Sequence, residues 1–140
     1  MKGLFLETMD ARKVAEYIVK KYYISNPKLQ NVLYFIQAKY LLENNEPCFE
    51  QPLEAKSTGI VVEDVYNEYK FYEGGLIPHE TDDIPDIGDS SLIDEVVKQC
   101  SKKSLAQLTA IITKQDPWRQ AYENFQPEIS LDSMREYFLN

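Results

Sequence analysis

The residues best suited to chemistry crowd into one irregular stretch. Between Leu76 and Asp89 lie the only histidine, His79, and the carboxylates Glu80, Asp82, Asp83, Asp86 and Asp89, punctuated by Pro78, Pro85 and Gly88. An imidazole among carboxylates is the raw material of a cation site or of acid–base catalysis. The order of the acids does not match a calcium loop, which needs alternating ligands, a mid-loop glycine and a closing glutamate. No Ser or Cys stands beside His79 in a recognised nucleophile motif. The stretch 76–89 therefore reads first as a solvated variable loop, and second as an acidic arm that folds onto a basic partner. Cys48 and Cys100 make no Cys-x-x-Cys pair, and a lone histidine makes no His-x-x-x-His pair, so no zinc site is expected. Both cysteines read as reduced, buried thiols. Gly59, Gly74, Gly75 and Gly88 fall in no phosphate-cradling spacing. No catalytic residue, metal site or cofactor is assigned. A small hydrolase built on carboxylates around the central helix is kept as a minor reading, because such pairs meet only in the fold.

The element that must position everything else is the stretch from Leu29 to Leu42. Leu29, Val32, Leu33, Ile36 and Tyr40 recur at helical spacing, and Phe35, Ala38 and Leu42 form a second stripe beside them. A helix apolar over most of its circumference belongs in the interior. Leu29, Leu33, Tyr34, Phe35 and Ile36 are the expected core. Asn26 suits the cap and Pro27 the first helical position; Asn44, Asn45 and Pro47 end the helix. Gln30, Asn31, Gln37 and Lys39 escape the apolar pattern and are where a function could attach. A core helix rarely spends a position on glutamine without a hydrogen-bond partner. Gln37 is expected to bond backbone near the Glu54 to Gly59 ribbon and fix that turn.

The remaining elements follow in order. Met1 to Glu7 is a short leader. Asp10 caps a helix with Ala11, Val14, Ala15, Ile18 and Tyr22 inward, and Arg12, Glu16 and Lys20 form a solvated charged row. Cys48 to Glu50 and Leu53 to Ala55 read as brief extended pieces around Gln51-Pro52. Lys56 to Gly59 is a turn, with Gly59 free to take positive φ. Ile60-Val61 leads into a helix carrying Val62, Val65, Tyr66 and Tyr69, ended by Gly74-Gly75. Ser91 with Asp94 and Ser104 with Gln107 read as two capping boxes. The first opens a helix with Leu92, Ile93, Val96, Val97 and Cys100 inward, the second one with Leu105, Leu108, Ile111 and Ile112. Asp116 caps a helix with Pro117 first and a stripe of Trp118, Ala121, Tyr122 and Phe125. Ser130 caps a terminal helix with Leu131, Met134, Tyr137 and Phe138 inward. The fold class is mainly α (α+β): a single domain over residues 1–140 around a buried central helix, with a short β-hairpin.

Composition narrows the function classes. A chain of 140 residues with 44% hydrophobic and 27% charged residues has the makeup of one globular domain. A net charge of −8 argues against nucleic acid as the main partner, because phosphate neutralisation needs clustered Lys and Arg. No apolar run approaches the ~20 residues of a membrane span. The N-terminus lacks a long apolar run with a small-residue cleavage site, so a cytoplasmic location is expected.

The order of motifs carries a resemblance. Lys28-Leu29-Gln30-Asn31-Val32-Leu33-Tyr34-Phe35-Ile36-Gln37 resembles the K-L-Q-K-L-L-Y-F-x-Q element of the Panacea antitoxin domain family. That family includes phage-associated GepA-like proteins and SocA-like proteolytic adaptors. Pro47 to Ala55 is similar to its P-L-F-x-x-P-x-E-A. Gly59-Ile60-Val61-Val62 with Val65-Tyr66 is similar to its G-P-V-V-x-x-V-Y. Ser104 to Leu108 and Asp116-Pro117-Trp118 resemble its closing L-S-x-L-T-H-x-x-x-P-W. The resemblance covers about residues 10–138. Two departures stand out: Lys56-Ser57-Thr58-Gly59-Ile60 replaces a common W-x-Y-G-P, and Thr113 replaces a common histidine. The resemblance implies a mostly helical antitoxin, prophage-associated, that neutralises a cognate toxin by direct binding. Many such toxins block translation. It implies no enzymatic activity and no cofactor, and the charge and the apolar run lengths already point away from a nucleic-acid or membrane partner. Gln37, Glu54, Lys56, Thr58 and Gly59 are the expected partner-binding residues, and Asp116, Pro117 and Trp118 a structural element. An adaptor that delivers a bound protein to a protease is the alternative.

Overall fold

The structure, a computed structural model, describes residues 8–140; the expected leader lies outside them. Seven α-helices and a three-stranded sheet occur among the described residues. Helix α1 is Ala11–Lys21 and α2 is Asn26–Asn44. Strands β1 (Leu53–Lys56) and β2 (Gly59–Val61) precede α3 (Glu63–Tyr69). After a 3-10 turn and the long loop come α4 (Ser91–Ser101), α5 (Leu105–Thr113), α6 (Asp116–Glu123), β3 (Glu128–Ile129) and α7 (Leu131–Leu139). The fold is mainly α with a small antiparallel sheet, as the periodicities predict.

Helix α2 is the hub: α3, α4, α5, α7 and β2 all pack on it. Leu29, Leu33, Tyr34 and Ile36 are fully buried. Phe35 is only partly buried and Leu42 is 47% exposed, so the second apolar stripe borders the surface. The cap is Ser25, whose hydroxyl accepts from Lys28 N–H. Asn26 sits inside the helix instead, because its buried amide donates to the Tyr66 carbonyl at 3.3 Å. Asn45, in the left-handed region at φ 55°, ends the helix.

The sheet order is β2-β1-β3, all antiparallel. Glu54 pairs with Val61 and Lys56 with Gly59, so the hairpin reverses at Ser57-Thr58 and not at Gln51-Pro52. Phe49 instead bridges to Met9. Ile60-Val61 is a strand, and the helix starts two residues later at Glu63. Short β-branched runs suit either reading, and pairing with β1 decides it. Strand β3, unexpected from the sequence, pairs Ile129 with Leu53 and Glu128 with Glu54.

Several caps match the sequence: Asp10 accepts from Arg12 N–H, Ser130 from Ser133 N–H, and Ser104 with Gln107 forms a complete capping box. The Ser91–Asp94 box does not form: Ser91 is the first residue of α4 and Ser90 holds the cap position, while the Asp94 carboxylate accepts from Tyr17 on α1 and from Tyr22 just after it. Asp116 is the first residue of α6 and Pro117 the second; the cap position is Gln115. The stripe of α6 stops at Ala121, leaving Tyr122 42% and Phe125 93% exposed. Loop 76–89 lies against the body: Ile77 N–H donates to Ile24 O, Lys20 donates to Asp83 O, and Ile87 packs on the core.

Candidate functional site

The most tightly organised surface feature is the turn from Lys56 to Gly59. Lys56, Ser57 and Thr58 are exposed while Gly59 is buried. Three separate elements hold its backbone. From α6, the Trp118 indole N–H is shared between the carbonyls of Lys56 (3.0 Å) and Gly59 (2.9 Å). From α2, Asn31 Oδ1 accepts the buried Ile60 N–H at 3.0 Å, and its Nδ2 donates to the Thr109 hydroxyl at 3.0 Å. From α5, that hydroxyl donates to Thr58 O at 3.4 Å. Gly59 is required twice over. Its φ of +117° disfavours any side chain, and a Cβ there would lie 2.5 Å from Asn31 Oδ1.

One residue earlier on α2, Gln30 Oε1 accepts Val62 N–H at 2.8 Å, and its Nε2 donates to Asn26 Oδ1 at 2.7 Å. Asn31 and Gln30 thus satisfy the outer N–H groups of the β2 edge. A sheet edge left open invites further strands; here two buried amides close it. The structure assigns to Asn31 and Gln30 the task expected of Gln37. Gln37 is 1% exposed and points elsewhere, accepting from Cys48 N–H (2.8 Å) and Phe49 N–H (3.2 Å) and donating to Phe49 O (2.8 Å). It pins the segment before the hairpin and is out of reach of a partner.

Glu54 lies half-buried on β1, opposite Glu128 on β3. Together with Phe125, Gln126, Pro127 and Ser130 these two acids line a shallow hollow. Like charges set directly opposite on a sheet are unfavourable unless solvent or a cation screens them. The ring of Tyr122 stacks on Trp118 at 4.5 Å between centroids, which carries the aromatic surface from the turn towards this hollow. Phe125, 93% exposed with φ 55°, projects at its edge. Turn, acid pair and exposed aromatic form one face of the molecule. Glu54, Lys56, Thr58 and Gly59 belong to it; Gln37 does not. Trp118 supports it, and Pro117 is buried beneath it. Asn31 is one of the polar positions that interrupt the α2 stripe; Thr109, Phe125 and Glu128 carry no sequence signal for this face. The polar positions within the α2 stripe were the one available signal, since a buried amide must have a partner.

A second polar cluster joins α1 to α4. The Asp94 carboxylate accepts from Tyr22 (2.6 Å), Ser90 (2.9 Å), Tyr17 (3.0 Å) and Lys21 (3.3 Å). Burial works against its ionised form, but these donors outweigh burial and hold the Asp94 pKa below the usual carboxylate value. Burial and the neighbouring carboxylate push Tyr22 up to about 12. Lys21 is raised by its hydrogen bond to Tyr17 and by Asp94. Every partner in this cluster is committed to another, which suits it to tying two helices together.

The His79 ring lies against Tyr23 at 4.3 Å between centroids, tilted by 34°, and its Nδ1 is buried without a hydrogen-bond partner. Among the described residues no group of three or more His, Cys, Asp or Glu side chains is placed to hold a metal ion. Burial pushes the Cys48 thiol up to about 12 and the Cys100 thiol up to about 11, away from nucleophilic reactivity at neutral pH. No helix among the described residues is long and apolar enough to cross a membrane. No family model matches the chain, and neither curated proteins nor solved structures contain a similar relative.

Proposed function

We propose that this chain is an antitoxin of the Panacea type, which neutralises a cognate toxin by direct binding through the face built on the Lys56 to Gly59 turn. The observation that carries the reading is the three-point clamp of Trp118, Asn31 and Thr109 on that turn. A turn whose backbone groups are already satisfied loses little freedom on binding, so its exposed side chains meet a partner preorganised. The facing acids Glu54 and Glu128, on a chain of net charge −8, favour a basic surface on the toxin. Phe125 supplies an apolar anchor at the edge. The motif order from Lys28 to Trp118 supports the same family, and a prophage setting follows from that resemblance alone.

The test is co-expression of the full chain with the product of the adjacent reading frame. Growth rescue and a co-purifying complex are expected. Ser57→Arg, which adds bulk at the exposed tip, and Phe125→Ser are each expected to weaken the complex at least about tenfold while leaving the melting temperature unchanged. Absence of both rescue and complex with any neighbouring product removes the proposal. A shortened partner half-life in the presence of the chain, dependent on a protease, replaces it with the adaptor role.

A further inference from the structure

A groove of about 270 Å³ runs between α2, α4, α5 and α7, away from the turn. Its walls include Phe35 and Leu42 of α2, Val96 of α4, Leu108 and Ile111 of α5, and Phe138 of α7. Helix α5 separates the two faces: Thr109 looks to the turn, Leu108 and Ile111 to the groove. The groove opens to solvent along its length, since Leu42 is 47% exposed and Phe35 only partly covered.

Its two ends differ in charge. At one end Lys39 is neutralised by Glu43 (3.1 Å) and Glu95 (2.8 Å). Lys103 lines the other end, and Lys28, outside the lining, reaches it from α2. The Lys28 ammonium donates to the Lys103 carbonyl at 2.6 Å, and neither lysine takes part in an ion pair among the described residues. Their positive charge opposes the upward push of burial on the thiol of Cys100, which lines the groove. Two uncompensated cations at one end of an apolar channel are a pointed feature in a chain of net charge −8. Along α2 the groove lining runs from Phe35 to Leu42, seven residues, which is about 10 Å or two helical turns, and Lys28 lies about two turns further towards the start of the helix.

We propose that this groove receives an amphipathic helix of a partner protein, about three turns long, with its apolar stripe inward and acidic residues at the end beside Lys28 and Lys103. Length, open shape and charge all fit that occupant. An apolar stripe at i, i+4 and i+7 would lie along Phe35, Ile111 and Leu42. Carboxylates at the matching end would complete the ion pairs that the two lysines lack. A second copy of the chain is disfavoured by the acidity of the whole surface. The inference does not rest on the antitoxin reading, because it concerns another face.

The probe is a labelled, stapled helical peptide of about three turns with leucines at i, i+4 and i+7 and glutamates at one end. Its twin carries lysines in place of the glutamates. Binding to the full chain is read by fluorescence anisotropy. The acidic probe is expected to bind at least about tenfold tighter than its twin, with the gap narrowing as salt rises. Lys28→Glu combined with Lys103→Glu is expected to reverse that order. Leu42→Glu is expected to weaken both probes, and Lys56→Glu, in the turn, to change neither. No binding by the acidic probe, equal binding by the twins, or indifference to Leu42→Glu overturns the proposal. So does a concentration-dependent dimer that Leu42→Glu dissolves, which assigns the groove to a second copy. All three groove positions are at least partly exposed, and the reversal of preference keeps the test decisive should Leu42→Glu fail to fold.

Discussion

The contact between Gly59 and Asn31 makes a prediction that two single substitutions and their combination can decide. An alanine at position 59 must hold φ near +117°, a strain of about 1–3 kcal/mol. Its Cβ would also sit 2.5 Å from Asn31 Oδ1, so Asn31 must swing away. In moving it gives up the bond to the buried Ile60 N–H, about 1–3 kcal/mol for a stranded donor. Gly59→Ala is therefore expected to cost about 2–6 kcal/mol in all. Asn31→Ala strands the same N–H and costs about 1–3 kcal/mol. That hydrogen bond can be lost only once, and the double variant has no side chain for the new Cβ to strike. Its cost should fall short of the sum of the singles by about 1–3 kcal/mol. Urea titration of all four proteins measures this, provided the slope of the transition stays constant. Additivity within about 0.5 kcal/mol refutes the claim that Asn31 acts on the turn by direct contact. The same variants test the presenting role. Gly59→Ala should also weaken partner binding in the folded fraction, because it moves the mounted turn.

Gln37→Leu leaves two buried N–H groups and one carbonyl unpaired around Cys48 and Phe49. It should destabilise by at least about 3 kcal/mol, read in the same titration, while the folded fraction binds a partner as before. Asp94→Asn should flatten the acid side of the stability profile. The Asp94 folded pKa is depressed, so its contribution is complete above the ordinary value of 3.8 and is lost as pH falls through the lower folded value. Melting temperatures between about pH 6 and pH 3 check this; an unchanged acid limb would sink the assignment. Asp10, brought down to about 2 by hydrogen bonds from Arg12 against a small opposing burial, acts over the window from about 4 to 2. Its exposure makes that contribution small. Cys48 and Cys100, raised to about 12 and about 11 by burial, should label slowly with a maleimide at neutral pH in the native protein and rapidly in denaturant.

Much of the fold is legible along the chain. The α2 stripe, the caps at Asp10, Ser104 and Ser130, and the turn at Lys56 to Gly59 all follow from residue type and local spacing. So does the core role of Leu29, Leu33, Tyr34 and Ile36. The places where that reading slips share one cause. Asn26 and Asp116 look like caps and Asp94 like a capping-box partner, yet Asn26 and Asp94 are claimed by groups on other elements, and Gln115 takes the cap position before α6. Tyr66, Tyr122 and Phe125 fit apolar stripes, yet no element comes to cover them. Strand β3, two residues long, has no pattern of its own and exists because β1 lies beside it.

The amides of α2 show where the division falls. The sequence establishes for Gln37 that a core helix cannot keep an unpaired amide; in it Asn26 reads as a cap and Gln30 and Asn31 as polar positions where a function could attach, and all four prove buried. Which partner each finds is not a local property. Gln37 takes the segment before the hairpin, while Gln30 and Asn31 take the β2 edge. The tightest grip on the turn comes from Trp118, 59 residues beyond Gly59. Helical periodicity sets which way a side chain points. Only the packing of distant elements decides what it meets there, and here that packing turned a plain Lys-Ser-Thr-Gly turn into a rigidly mounted surface.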